Sequence, residues 1–228
     1  MKARPVKKLD PDASLAENAA RIVAVRLDEM RSFAPRALQP DRSRAQHDMR
    51  IAAKRLRYIL EATDFCFGKS AQTAARRARD LQDLLGELHD CDVLLPVIDD
   101  QIAALREEDA ATVRRRAGDA PNLDPRLATR ARHRTAYRGL EMLAVYVQAR
   151  RKLLFDRFRS YWHEQERAGT WERLERAVTR RLEEAREERR TAERVERARR
   201  ELERAERDER AAADRARRAA EELAAINS

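Results

Sequence analysis

Hydrophobic positions along the chain recur at spacings of three and four almost throughout, and this period predicts helices and no strands. Leu15, Ala19, Ile22, Val23, Leu27 and Met30 mark a first helix. Ser14 and Glu17 form a capping box at its start, and Pro35 with Pro40 ends it. Met49, Ala53, Leu56, Leu60, Thr63 and Phe67 mark a second helix, capped by Asp41 or Ser43 and stopping near Gly68. Ala74, Ala78, Leu81, Leu85 and Leu88 give a third, which begins after Ser70 and continues to about Arg116, either re-capped at Asp92 or kinked at Pro96. AGDAPNLDP, residues 117–125, reads as a loop. A fourth helix then runs from Arg126 to about Arg167 on Ala136, Leu140, Leu143, Val147, Leu154, Phe158 and Tyr161. Four long amphipathic helices with short connections predict an all-α four-helix bundle over residues 13–168.

The pattern changes after Gly169. From Thr170 to Ile226 there is no Gly or Pro, and acidic residues stand four before Arg repeatedly, as in Glu193-Arg197, Glu196-Arg200 and Glu203-Arg207. A heptad frame can be laid over Val195, Ala198, Leu202, Ala205, Glu209, Ala212, Ala216, Ala219, Leu223 and Ile226. Ala fills most of these positions and a charge fills one, so residues 169–228 read as a long charged helix or a weak coiled coil. Residues 1–12, with two prolines and several cations, read as a disordered basic arm.

One helix carries more than a core stripe. His47, Arg50, Lys54 and Arg57 recur with helical period about a third of a turn from the apolar line of the second helix. Ile51, Tyr58 and Phe65 flank them on the far side, with Asp48 and Arg55 expected outermost. Cations of like sign bracketed by apolar residues predict a basic groove between packed helices that holds an anion. Arg76 and Arg79 of the third helix, and Arg150 and Arg151 of the fourth, are further candidate walls; the competing reading for each is an ordinary ion pair, such as Arg57 with Glu61 or Arg79 with Asp83. Gly86, expensive inside a helix, suits a close approach by another backbone or a ligand, or is a tolerated defect.

Composition sharpens this picture. The chain of 228 residues has a formal net charge of +9, and residues 172–228 hold 17 Arg against 16 Asp and Glu, so nearly all the excess positive charge belongs to the bundle. A polyanion is the implied partner: inorganic polyphosphate, nucleic acid or an anionic membrane. Arginine forks and a mobile lysine along one line suit successive phosphates of a linear polymer. No apolar run is long enough to span a bilayer, and the two cysteines, Cys66 and Cys91, form no metal-binding pair, so a cytoplasmic protein without a membrane segment is expected.

The same residues admit rival chemistry. His47-Asp48 and His89-Asp90 suggest a helical metal-dependent phosphohydrolase using His47, His89 and Asp90, with His133 as a further ligand; adjacent helical residues point about 100° apart, which argues against it. Gly-rich phosphate loops, nucleophile elbows and other cofactor motifs are absent, so no enzyme activity, metal or cofactor is expected. A nucleic-acid-associated structural role has few exposed aromatics to stack bases and no helix-turn-helix pattern, leaving only non-specific nucleic-acid contact.

HDMRIAAKRLRYILE and, further on, ARDLQDLLGELHDCDVLL resemble the CHAD domain, the conserved-histidine α-helical domain. His47, Arg50, Lys54, Arg55, Arg57 and Tyr58 match its first motif, and Leu81, Gln82, Leu85, Gly86 and Asp90 its second. The resemblance implies a helical domain that binds inorganic polyphosphate in a basic channel and is often found at polyphosphate granules, with Arg50, Lys54, Arg55 and Arg57 as phosphate ligands and His47 nearby. It also implies two pseudo-symmetric four-helix halves, of which this sequence has one clear repeat unit. The expectation is then either an open half-channel or a homodimer that rebuilds the whole.

Overall fold

The computed structural model describes residues 2–226, with side chains described except at 219 and 222–226. Among the described residues there are six helices and no strand: α1 (Leu15–Ala37), α2 (Ser43–Ala62), α3 (Lys69–Ala117), α4 (Arg126–Thr129), α5 (Arg134–Arg167) and α6 (Thr170–Ile226), with a 3-10 turn at Asp64–Cys66. The chain divides into two compact units, Met1–Thr179 and Arg180–Ser228.

In the first unit α2 packs between α1 and α3, and α3 packs between α2 and α5. The stripes of α2 and α3 are buried as their period requires: Met49, Ala53, Leu56, Leu60, Thr63 and Phe67 on one, and Ala74, Ala78, Leu81, Leu85 and Leu88 on the other. In α1, Ala19, Val23, Leu27 and Met30 are buried, whereas Leu15 in the first turn is exposed and Ile22 half-buried. Ser14 Oγ accepts the Glu17 N–H at 3.2 Å, the side-chain cap its sequence predicts. Neither Asp41 nor Ser43 caps α2; Arg42 is its cap residue and supplies no side-chain hydrogen bond.

Some boundaries differ from the sequence pattern: α2 ends at Ala62, short of Gly68, so Thr63 and Phe67 of its stripe lie beyond the helix. Pro35 lies inside α1, which ends two residues later, and Pro96 lies inside a continuous α3, the second of the two readings open for it, with no re-capping at Asp92. The fourth long helix starts at Arg134 rather than Arg126, because the buried Asp109 carboxylate of α3 accepts the His133 backbone N–H at 3.1 Å and lies 3.2 Å from its Nδ1, fixing a break after α4. The core of α5 is Ala144, Val147, Leu154, Phe155, Phe158, Trp162 and Gln165; Ala136 and Leu143 are exposed.

Gly169, at φ 64°, supplies the left-handed turn that ends α5. Beyond it Trp171, Leu174 and Val178 are buried, with Trp171 stacked on Trp162 at 6.0 Å. Arg31 of α1 reaches Glu172 at 3.3 Å and Glu175 at 3.1 Å. The compact unit therefore runs to Thr179, past the boundary expected at residue 168. Residues 2–12, expected to be disordered, lie along α1: Arg4 N–H donates to Glu29 at 3.0 Å, its guanidinium bonds Asp28 and Ser32, and Arg26 donates to the Arg4 carbonyl at 2.9 Å.

In the second unit α6 carries exposed ion pairs such as Arg200–Glu196, Arg197–Glu201 and Arg199–Glu203, each at 3.1 Å. Most run from Arg to an acid four residues later, the reverse of the order predicted, although Glu196–Arg200 keeps it. Val195 and Leu202 of the heptad frame are exposed; the side chains of Ala219, Leu223 and Ile226 lie outside the described residues.

Candidate anion site on the second helix

The basic column lies along the seam between α2 and α3, open to solvent on its other side. Burial of Met49, Ala53, Leu56 and Leu60 turns this stripe inward, and the helical period then sets His47, Arg50 and Arg57 half-buried beside α3, with Lys54 exposed. The far flank is not a second packed wall as expected, since Tyr58 and Phe65 are 50% and 70% exposed. Lys54 Nζ and the Arg57 guanidinium stand 5.6 and 4.6 Å from the centre of the Tyr58 ring, which holds both cations at the rim of the seam.

At the upper end of the seam the His47 ring lies 4.4 Å from that of His89 on α3, centre to centre. Burial, then His89 and Arg50, push the His47 pKa down, with Asp48 opposing them. Four polar atoms on the facing sides of α2 and α3 are buried without a hydrogen-bond partner: His47 Nδ1, Arg50 Nε, Arg57 Nε and Gln82 Oε1. At the other end Glu61 accepts from Arg79 at 2.6 Å and lies 3.6 Å from Arg57 Nε, so one carboxylate serves two cations. Arg79 therefore bridges to α2, not to Asp83 on its own helix. Among the described residues Arg50, Lys54 and Arg76 form no ion pair. A Cβ at Gly86, one turn before His89, would meet no atom within 4 Å, so close approach by another backbone does not account for the glycine.

Arg55, which the period puts outermost and the family resemblance makes a phosphate ligand, turns away from the seam. It is half-buried against α1, where its guanidinium reaches Glu29 at 3.2 Å; Glu29, 1% exposed, is also held by Arg26 at 2.7 Å and the Arg4 backbone N–H. The outermost position expected for Arg55 belongs to Lys54 and Tyr58. The reason is non-local: a carboxylate buried on α1 draws the nearest guanidinium of α2 across the helix pair.

On α5 the two candidate arginines differ. Arg150 is exposed and pairs with Glu87 of α3 at 2.7 Å, a bond that raises its pKa. Arg151 is half-buried and fully used, with Asp92 at 2.5 Å, the Pro40 carbonyl at 3.0 Å and Gln46 Oε1 at 3.2 Å. It ties the α1–α2 loop, α2, α3 and α5 together. Gln46, buried through hydrogen bonds to the Ala37 and Gln39 carbonyls, carries no signal in the sequence, because its partners lie at the end of α1 and in the loop after it. The site thus reduces to His47, Arg50, Lys54 and Arg57 on α2, with Arg79 and the unpaired Arg76 on α3.

Comparison with known families adds one finding. Residues 2–99 match the CHAD domain. The matched segment covers α1, α2 and the first part of α3, and so contains the whole α2–α3 seam, while α5 and α6 lie outside it. CHAD domains are associated with polyphosphate-related proteins. No curated protein matches the chain, and no solved structure does. His47 and His89 are brought together, but among the described residues no group of three His, Cys, Asp or Glu side chains is placed to hold a metal ion. None of the described helices is long and apolar enough to cross a membrane.

Proposed function

We propose that this chain binds inorganic polyphosphate along the α2–α3 seam of its CHAD segment, as a binding protein and not an enzyme, and that binding places it at polyphosphate granules. The observation that carries this reading is the unneutralised charge of Arg50 and Lys54 beside buried, unpartnered nitrogens of His47 and Arg50. Buried polar atoms lacking partners cost about 1–3 kcal/mol each. A chain of phosphates laid on the seam supplies acceptors to those nitrogens and counter-charge to the cations in one step. A row of cations spaced about one helical turn apart meets phosphates that repeat along a linear polymer, and an open flank admits a long one.

The test is a salt-dependent titration of long-chain polyphosphate against the wild type and an Arg50→Ala, Lys54→Ala, Arg57→Ala variant, with duplex DNA as competitor. Tight binding that resists DNA and falls at least tenfold in the variant, with helicity retained, is the expected outcome. Unchanged affinity in the variant rejects the seam. Equal competition by DNA at matched phosphate concentration indicates a general polyanion surface instead, and release of orthophosphate from the polymer restores the hydrolase reading.

A further inference from the structure

The helix at the edge of the bundle is apolar on two sides. Ala144, Val147, Leu154, Phe155 and Phe158 of α5 are buried against the bundle. On the opposite side Met142, Val145, Tyr146 and Leu153 are 67%, 66%, 61% and 59% exposed, and Ala149 is exposed between them. Their spacings of three, one, three and four residues put all five on one stripe. The buried contacts of α5 with the bundle use the first face, and the second has no occupant among the described residues.

The geometry points to a second copy of this chain as that occupant, packed antiparallel through α5 about a twofold axis. The stripe is self-complementary in size. When Met142 faces Leu153 of the second copy, Tyr146 falls opposite Ala149 of the second copy, large against small, and the twofold repeats both contacts. It is also self-complementary in charge. Arg138, Glu141, Lys152 and Asp156 lie on one flank of the stripe, and in an antiparallel pair that flank meets its own copy. The same register brings Arg138 beside Asp156 of the second copy and Glu141 beside Lys152 of the second copy. Arg138 and Lys152 form no ion pair among the described residues. Glu141 and Asp156 each bond one arginine of their own chain, Arg106 and Arg159, and a carboxylate has room to accept another donor. An unrelated partner has no reason to match both the size order and the charge order of this stripe.

From Arg138 to Asp156 the contact runs about 27 Å along one helix face, so a concentration-dependent, reversible association is expected. The experiment is sedimentation equilibrium on the full chain across concentrations from about 1 to 500 μM. The expected result is a mass that rises from 26.5 kDa towards twice that value with concentration. Leu153→Glu should hold the monomer mass throughout. Arg138→Glu should weaken association at least tenfold, and Arg138→Glu with Asp156→Arg in the same chain should restore it, a rescue that a misfolded variant would not show. A monomeric wild type throughout, undiminished association in Leu153→Glu, or absence of rescue by the charge swap overturns the proposal. Association that survives Leu153→Glu would move the interface to another surface, α6 included.

Discussion

His47 on α2 and His89 on α3 face each other with ring centres 4.4 Å apart, at one end of the line of cations that follows α2. Arg50 stands beside His47 on the same helix. His47 has its pKa lowered by burial first, then by His89 and Arg50. An unfolded histidine titrates near pH ~6.5. Below that pH the unfolded chain takes up the proton first, so stability present above it is lost as the pH falls through the lower, folded-state value. The thermal midpoint should therefore fall between pH 7 and 5 more steeply in the wild type than in His47→Gln. Equal slopes would remove His47 as the source. A polyphosphate on the seam reverses the balance by favouring the imidazolium, so binding should take up a proton and tighten as the pH is lowered over the same range, an effect His47→Gln should lose.

Arg55 separates folding from binding. Its bond to the buried Glu29 predicts that Arg55→Ala lowers stability by about 2 kcal/mol, since Glu29 keeps Arg26 and the Arg4 N–H but loses a charged donor. Lys54→Ala, which breaks no ion pair at an exposed position, should change stability by about 0.5 kcal/mol or less, and Arg50→Ala, which removes a buried Nε without a partner, should not lower it. Urea unfolding of the three variants checks the order. If Arg55→Ala proves neutral in stability and strongly weakens polyphosphate binding, Arg55 belongs to the site after all.

Arg150 and Arg151 are neighbours in sequence with opposite expected behaviour. Arg151 joins Asp92, Gln46 and the Pro40 carbonyl in a partly buried node, so Arg151→Ala should cost about 2–3 kcal/mol. Arg150 shares an exposed, solvent-screened bond with Glu87, and Arg150→Ala should leave the urea midpoint close to that of the wild type. Urea midpoints with equal losses would mean that the node is no stronger than a surface pair.

What the sequence made legible follows from which interactions are local. The stripes of α2 and α3, the Ser14 cap and the column of His47, Arg50, Lys54 and Arg57 follow from helical period alone, and each can be read before any tertiary contact is known. The Glu29 cluster, the Arg151 node, the Asp109–His133 clasp and the Trp162–Trp171 stack join residues from different helices or from loops. No spacing rule encodes those meetings. Arg55 shows the consequence: periodicity placed it outward, and a carboxylate on another helix drew it aside. Tyr58 and Phe65 show the converse, because an apolar flank predicts a wall only if a helix is there to meet it, and here it faces water.

Gly86 puts the two surviving accounts of an internal helix glycine in opposition. Its helix continues on both sides, and a Cβ at this position would meet no atom within 4 Å. Gly86→Ala should therefore raise stability by about 1 kcal/mol through helix propensity, measured by urea unfolding, with no clash to offset the gain. A methyl group does not fill the space, so polyphosphate affinity should stay within about twofold of the wild type. Leucine extends further from the backbone. If the glycine leaves room for a phosphate chain beside His89, Gly86→Leu should keep the folded structure and lose affinity about tenfold, because the side chain then occupies the route of the ligand. If Gly86→Leu binds as well as the wild type, the glycine is a tolerated defect, and the polymer, wherever it runs along α2, does not reach this turn of α3.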